Sequence, residues 1–443
     1  MKRMSLWWCC CAVLVLSSCG GDGGGGGDPV PGTPDPGGGP GPTPTVVTVS
    51  GKVRRYGKPP SNVTVFIPGK PPVTTDASGA FSISGVSTPY DIAVVDAENR
   101  YASVYKGVTR QNITLGFTPD VTPVISTASV SGSITGAQTP SATVREPQVV
   151  FGSPESLHTQ SPCDPASSSY QASIPWMGSP STTGTLFAFQ GERASSSSPV
   201  YTRFTGFGRR DAVSLTPGTT LVNQNVSLSP VTSSTLAATF TTPSGFTLTS
   251  IGLDMQFEPG VRVPLLTAAS PSSSFSSAVP VIGESTYSLT TVAAALSSGT
   301  LSMVIRSGLT AGTQDVNIAL KEPTKQALPL DKATEVTRTS EFTWGGSPGG
   351  VYVVTFTSSG GTPYRLGVFT SAANITLPDL SALGMAVPAN TPFTWNVLAY
   401  SPISSVDAMV VDVEGGPTRI SDNRNLLFMT SSGSRQFTTA ATP

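Results

Sequence analysis

From Val46 onward the chain is written in short apolar runs that alternate with polar positions and break at Gly, Pro, Ser and Asn clusters. That pattern predicts short strands at regular spacing, the grammar of all-β sandwiches. No window sustains a helical period, and the nearest case, residues 379–386, amounts to one turn. Val47 to Val53 reads as a strand, and in the next strand Val63, Val65 and Ile67 share one face. Thr74 to Phe81 reads as strand, tight turn and strand. There Asp76 is placed to accept from the turn amides, Gly79 supplies a positive φ, and Phe81 and Ile83 return to the core. Tyr90 to Val95 follows as a central strand.

The strand grammar repeats at a larger period. Three segment ends match: Gln111-Asn112-Ile113-Thr114-Leu115, Gln224-Asn225-Val226-Ser227-Leu228, and Asp315-Val316-Asn317-Ile318-Ala319-Leu320. Phe81, Val86 and Tyr90 find counterparts in Phe275, Val279 and Tyr287, and more loosely in Tyr170, Ile174 and Leu186-Phe187. A repeat of roughly one hundred residues predicts three related sandwiches in tandem. They fall at 46–117, 124–229 and 231–320, and a fourth module of different grammar covers 325–443.

Two resemblances refine this picture. Gly51-x-Val53, Val63 to Phe66 and Thr75-Asp76-x-x-Gly79-x-Phe81 resemble the carboxypeptidase regulatory-like family. That resemblance implies a transthyretin-type sandwich for the first module and no peptidase activity. In the fourth module, Glu341-Phe342-Thr343-Trp344, Val351 to Phe356, Tyr364 to Val368 and Phe393 to Ala399 resemble a fibronectin type III, Ig-like sandwich. The resemblance implies a core position for Trp344, and it places Phe393 where that fold carries a corner Tyr. Residues 401–432 then stand as a long insertion before a last strand at Arg435 to Thr439, a place where binding functions often sit. The expected fold class is all-β, with tandem Ig-like and transthyretin-like sandwiches.

Ahead of these modules lies a segment that cannot join a core. Lys2 and Arg3 precede a short apolar run, Ser5 to Leu16, too short to span a bilayer permanently. Leu16-Ser17-Ser18-Cys19 resembles the lipobox of bacterial lipoproteins. The resemblance implies a signal peptide over 1–18, cleavage before Cys19, and membrane attachment through diacylglyceryl and acyl groups on Cys19. Two or three acyl chains hold where a single chain exchanges. The other reading is an ordinary secretory signal with a chance cysteine. Residues 19–45 are Gly- and Pro-rich, a flexible to extended tether. Gly20 after the cysteine leans, by the same resemblance, toward an outer membrane where the cell has two.

Composition removes function classes more readily than it adds them. Net charge is −1, with only 12% charged residues, so no global field draws the chain to nucleic acid. The first module is locally basic through Lys52, Arg54, Arg55, Lys58, Lys70, Arg100, Lys106 and Arg110, which reads as a solvated face. Cys9, Cys10 and Cys11 lie in the signal peptide, which leaves Cys163 as the one mature thiol besides Cys19 and rules out an internal disulfide. The single histidine, His158, sits in a Pro/Ser-rich loop with Cys163, where no third group is set to orient a base. No catalytic residue, cofactor or metal is expected. One His and one Cys cannot complete a zinc site, and Asp407, Asp412, Glu414 and Asp422 match no calcium-loop spacing.

For ligand binding the candidates are aromatic. Trp176 reads either as an exposed platform for a sugar or as strand-end core. Tyr101 and Tyr105 share a strand face and offer a second platform if their strand is a sheet edge. The function expected from sequence is a non-enzymatic, envelope-anchored lipoprotein serving as a binding, adhesion or spacer module, with an envelope polysaccharide or a protein as partner. A carbohydrate- or cell-wall-binding lipoprotein is the alternative, and an uncharacterised hydrolase using a carboxylate pair is the third reading.

Overall fold

The computed structural model describes residues 46–55, 62–117, 125–153, 160–164, 167–177, 180–195, 197–257, 261–269, 271–345, 350–410 and 425–443. Residues 1–45, with the expected signal peptide, Cys19 and tether, lie outside these residues. The chain is all-β, built as stacked sheets.

The first module contains β1 (Val46–Arg55), β2 (Thr64–Phe66), β3 (Val73–Thr74), β4 (Ala80–Ser87), β5 (Tyr90–Asp96), β6 (Tyr101–Val108) and β7 (Asn112–Phe117). Sheet β4-β1-β7 packs on the run β3-β2-β5-β6. The second holds β8 (Ile125–Thr135), β9 (Gln148–Gly152), β10 (Gln160–Pro162), β11 (Ser169–Met177), β12 (Thr182–Arg193), β13 (Tyr201–Leu215), β14 (Thr220–Leu221) and β15 (Val226–Ser227). Its sheets are β11-β8-β14, with β15 also on β8, and β10-β9-β12-β13. The third holds β16 (Ser233–Thr241), β17 (Thr247–Gln256), β18 (Arg262–Ala269), β19 (Ser274–Pro280), β20 (Thr286–Ala295), β21 (Thr300–Leu309) and β22 (Val316–Ala319). Sheet β19-β16-β22 packs there on β18-β17-β20-β21.

One plan therefore recurs three times. The first strand of each module runs antiparallel to the fourth and parallel to the last. Side chains explain why the same segments repeat in sequence. Gly51, Gly132 and Ala238 stand opposite Phe81, Tyr170 and Phe275, small against large. An asparagine at or next to the start of each terminal strand accepts from a hydroxyl on the first strand: Asn112 from Ser50 at 3.1 Å, Asn225 from Ser133 at 3.0 Å, and Asn317 from Thr239. The Asp76 turn forms as its residues dictate. Its Oδ1 accepts from Ser78 N at 2.8 Å and Ala80 N at 2.9 Å, and Gly79 takes φ +79°. These bonds, with the Ser78 hydroxyl foremost, hold the Asp76 carboxyl below its ordinary value.

The fourth module departs from the plan. It comprises β23 (Lys325–Leu328), β24 (Ala333–Val336), β25 (Phe342–Gly345), β26 (Val351–Ser358), β27 (Arg365–Thr370), β28 (Asn374–Ile375), β29 (Pro392–Ser401), β30 (Leu426–Ser431) and β31 (Arg435–Thr439). Sheet β23-β25-β28 packs over a ring cluster in which Phe342 meets Phe356, Trp395 and Phe437 edge-on, Trp344 meets Tyr352 edge-on, and Trp395 stacks on Phe356. Residues 381–383 form a single 3-10 turn.

The second sheet of this module does not stop at its own strands. A 14-stranded sheet runs β18-β17-β20-β21-β30-β29-β26-β27-β6-β5-β2-β3, with β24 and β31 alongside. On one side β27 pairs parallel with β6 of the first module, from Arg365 opposite Tyr101 to Phe369 opposite Tyr105. On the other, β30 pairs antiparallel with β21 of the third, from Ser431 opposite Leu301 to Leu426 opposite Arg306. The second module docks differently, with side chains rather than strand pairing. Phe187, Phe189, Tyr201 and Phe204 enter the third module's core beside Leu236 and Val279, and Phe204 N donates to Ser233 Oγ at 2.7 Å.

Two expectations are corrected here. β6 is not a sheet edge, because β27 takes up its outer row of backbone groups. The stretch from 401 onward is not a bare insertion. Ile403, Val406, Met409 and Val410 are buried in the first module's core, and β30 carries the sheet across to β21. Residues 411–424 lie outside the described residues.

The close approach of first and last strands gives a direct test. A Cβ on Gly51 would sit 2.0 Å from the Ile113 carbonyl oxygen, which belongs to backbone and cannot swing aside. Gly51→Ala is expected to cost about 2 kcal/mol by overpacking, read as a lower thermal unfolding midpoint. Gly69→Ala, with no atom near its added Cβ but a positive φ, serves as the comparison for backbone strain alone.

Candidate binding surface

The three aromatic candidates all have structural partners. Trp176, on β11, is 0% exposed and lies in the second module's core with Ala128, Val149 and Leu186. Its ring has no face open to a sugar, so the platform reading does not hold for it. Tyr105 is also fully buried. Its ring stacks on Phe369 of β27 with centroids 4.2 Å apart, and its hydroxyl donates to the Gly116 carbonyl at 2.8 Å. Burial pushes its phenol well above the ordinary value. Tyr101 is half-buried, lies in register with Arg365, and packs against the same core. Tyr105 fastens the first module to the fourth through Phe369, and half-buried Tyr101 lies at the same seam. The sequence places both rings on one face, but nothing local announces that another strand covers it.

Around that seam, polar contacts add to the pairing. Asp407 accepts from both the backbone N–H of Thr109, at 2.8 Å, and its hydroxyl. Arg100 donates to the Thr362 carbonyl at 3.3 Å. Of the acidic quartet noted in sequence, Asp407 is therefore engaged in joining modules, while Asp412, Glu414 and Asp422 lie outside the described residues. Lys106 of the basic face pairs with Asp91 at 3.2 Å.

Burial governs the titrating groups that the sequence singles out. Cys163 is buried among Val149, Tyr170 and Leu186, and burial pushes its thiol up to about 12. At neutral pH it carries essentially no thiolate. His158 lies outside the described residues. Asp254 of β17 has its carboxyl raised by burial, and the charge acting on it is the Arg262 guanidinium, a cation in place of the second carboxyl that a glycosidic pair would need. Among the described residues, no three His, Cys, Asp or Glu side chains gather to hold a metal ion.

One concavity escaped the sequence reading. A groove of about 640 Å³ opens on the second module between β8, β11, the 162–164 turn and residues 222–225. Ser131, Asp164, Gln171, Asn223 and Asn225 line it, with Val222 at its rim 57% exposed. The aromatic residue in its lining, Tyr170, is buried with its hydroxyl bound to the Gln224 carbonyl, so a search for exposed tryptophans passes the groove by.

No family model matches this chain, and no curated protein does. Among solved structures, the Bacillus anthracis TIE protein aligns at 9% identity over 62% of this chain and 51% of its own, with a TM-score of 0.15. A DUF3823 family protein from Parabacteroides merdae aligns at 9% identity over 38% of this chain and 90% of its own, with a TM-score of 0.13. The pilus adhesin SpaC from Lactobacillus rhamnosus GG, in its open conformation, aligns at 14% identity over 65% and 44%, with a TM-score of 0.14. The chain spans about half the length of the first of these. Superpositions this partial carry no argument about function.

Two outcomes follow from the geometry. Tyr105→Ala removes a buried ring and its stack on Phe369, with an expected cost of about 3–5 kcal/mol, measured as reduced stability of the full chain with proteolysis opening at the seam. Cys163 is expected to resist alkylation at pH 8 in the folded protein and to react fully once denaturant exposes it, as mass spectrometry of the adduct would record.

Proposed function

We propose that this chain is a lipoprotein held in the cell envelope through Cys19, whose folded body serves as a stiff, non-enzymatic spacer presenting a binding surface. The observation that carries the reading is the 14-stranded sheet that ties first, third and fourth modules into one unit. Mutually paired strands resist bending at the joints, where a tandem array linked only by short connectors would hinge. Behind that unit the Gly/Pro segment 20–45 provides reach from a membrane surface, and the lipobox-like Leu16-Ser17-Ser18-Cys19 provides the anchor. The partner in this reading is an envelope polysaccharide or a surface protein. Near-neutral charge argues against a polyanion such as nucleic acid. The buried, protonated Cys163 argues against thiol chemistry.

The anchor is tested by expressing the full chain and its Cys19→Ala variant in a bacterium fed labelled palmitate. The wild type is expected in the membrane fraction carrying label, and the variant in the soluble fraction without it. A variant that still sediments with membranes would contradict the assignment.

A further inference from the structure

The groove on the second module arises from a departure from the shared plan. In the first module the terminal strand β7 pairs with β1 without a break from Asn112 to Phe117. In the second, the corresponding segment is split into β14 and β15, and residues 222–225 leave the ladder between them. Asn223 there takes φ +59°, a conformation that asparagine tolerates better than most residues.

This departing segment is held firmly. Gln224 N donates to the Ser131 carbonyl at 3.0 Å, and its side chain donates to the Val222 carbonyl at 2.9 Å. The Tyr170 hydroxyl donates to the Gln224 carbonyl, and Asn225 Oδ1 accepts from both Ser133 N and Ser133 Oγ. The walls are thus set before any ligand arrives, which lowers the ordering cost of binding.

What the walls offer is a set of unspent polar groups. Among the described residues, the side chains of Ser131, Gln171 and Asn223 make no hydrogen bond, and Asn225 keeps its amide nitrogen unused. An amide presents donor and acceptor side by side, and vicinal hydroxyls present the same pair in return. Exposed Val222 adds a small apolar surface suited to the C–H face of a pyranose ring. Charge is close to balanced. Asp164 is the carboxylate in the lining, and the Arg210 guanidinium donates to the Asn225 carbonyl at 3.4 Å close by.

We propose that this groove binds a neutral saccharide, a segment of an uncharged envelope polysaccharide. The proposal rests on the reading of the body as a binding module, and it replaces the aromatic platform with amides and a hydroxyl on the second module.

The test uses the detergent-solubilised full chain against immobilised maltohexaose, cellohexaose, mannohexaose and chitohexaose, with polygalacturonate as a charged control. Saturable binding to at least one neutral oligosaccharide is expected. The double variant Gln171→Ala/Asn223→Gly is expected to weaken it about tenfold, with the thermal midpoint nearly unchanged because both side chains are exposed and glycine accepts the positive φ of position 223. Binding that survives in the double variant would overturn the groove as the site while leaving a saccharide-binding body. A blank panel would overturn the saccharide proposal and leave the Cys19 anchor, judged separately by fractionation, as it stands. Preference for polygalacturonate, lost at high salt, would overturn the claim of a neutral ligand.

Discussion

The unpaired backbone row along a sheet edge is the constraint on which this structure turns. A sandwich with the strand order of these modules ends one sheet in a long edge strand, and an exposed edge of that kind invites pairing with another chain. Two of the three repeated modules meet the constraint through the fourth. β27 covers β6, and β30 covers β21. The cover is intramolecular, between segments some 260 residues apart in the first case and about 120 in the second (a count along the chain, not a distance). It turns a tandem array into a body whose N-terminal module rests against its C-terminal one.

The central strands of the joined sheet are dry on both faces, as their side chains show. On β5, Ile92 and Val94 face the first module's core while Ala93 and Val95 face the fourth's. On β26, Val351 and Val353 take one core, Tyr352 and Val354 the other. The second module applies the same device without strand pairing, with Val149 and Phe151 turned inward and Val150, Phe187 and Phe189 turned to its neighbour. A strand buried on both faces loses its alternation and reads as an unbroken apolar run. Such runs at 92–95, 149–151 and 351–354 are the sequence trace of a body packed on two sides.

That trace shows how much was legible. Strand positions, the all-β class, the Asp76–Gly79 turn and the repeated asparagine-marked terminal strands follow from local chemistry, and each has a side-chain reason in the fold. The partner of β6 was not legible, because backbone hydrogen bonding carries no residue code and Tyr101 and Tyr105 suit a wet edge as well as a covered one. Trp176 posed the same ambiguity, settled by its place in the second module's core. The groove beside Tyr170 escaped for the opposite reason. Its lining of Ser, Asn, Gln and Asp is indistinguishable in sequence from ordinary solvated loop, and only the break between β14 and β15 gathers it.

Hydrogen exchange of the intact chain tests the central claim most directly. If one sheet joins first and last modules, the amides of β6 and β27 at the paired positions Ala102 to Val104 and Leu366 to Val368 exchange as slowly as those of β26 inside the fourth module. Exchange along the outer row of β6 at rates typical of a free edge, with β26 still protected, would mean that the modules fold apart and that the joined body does not exist.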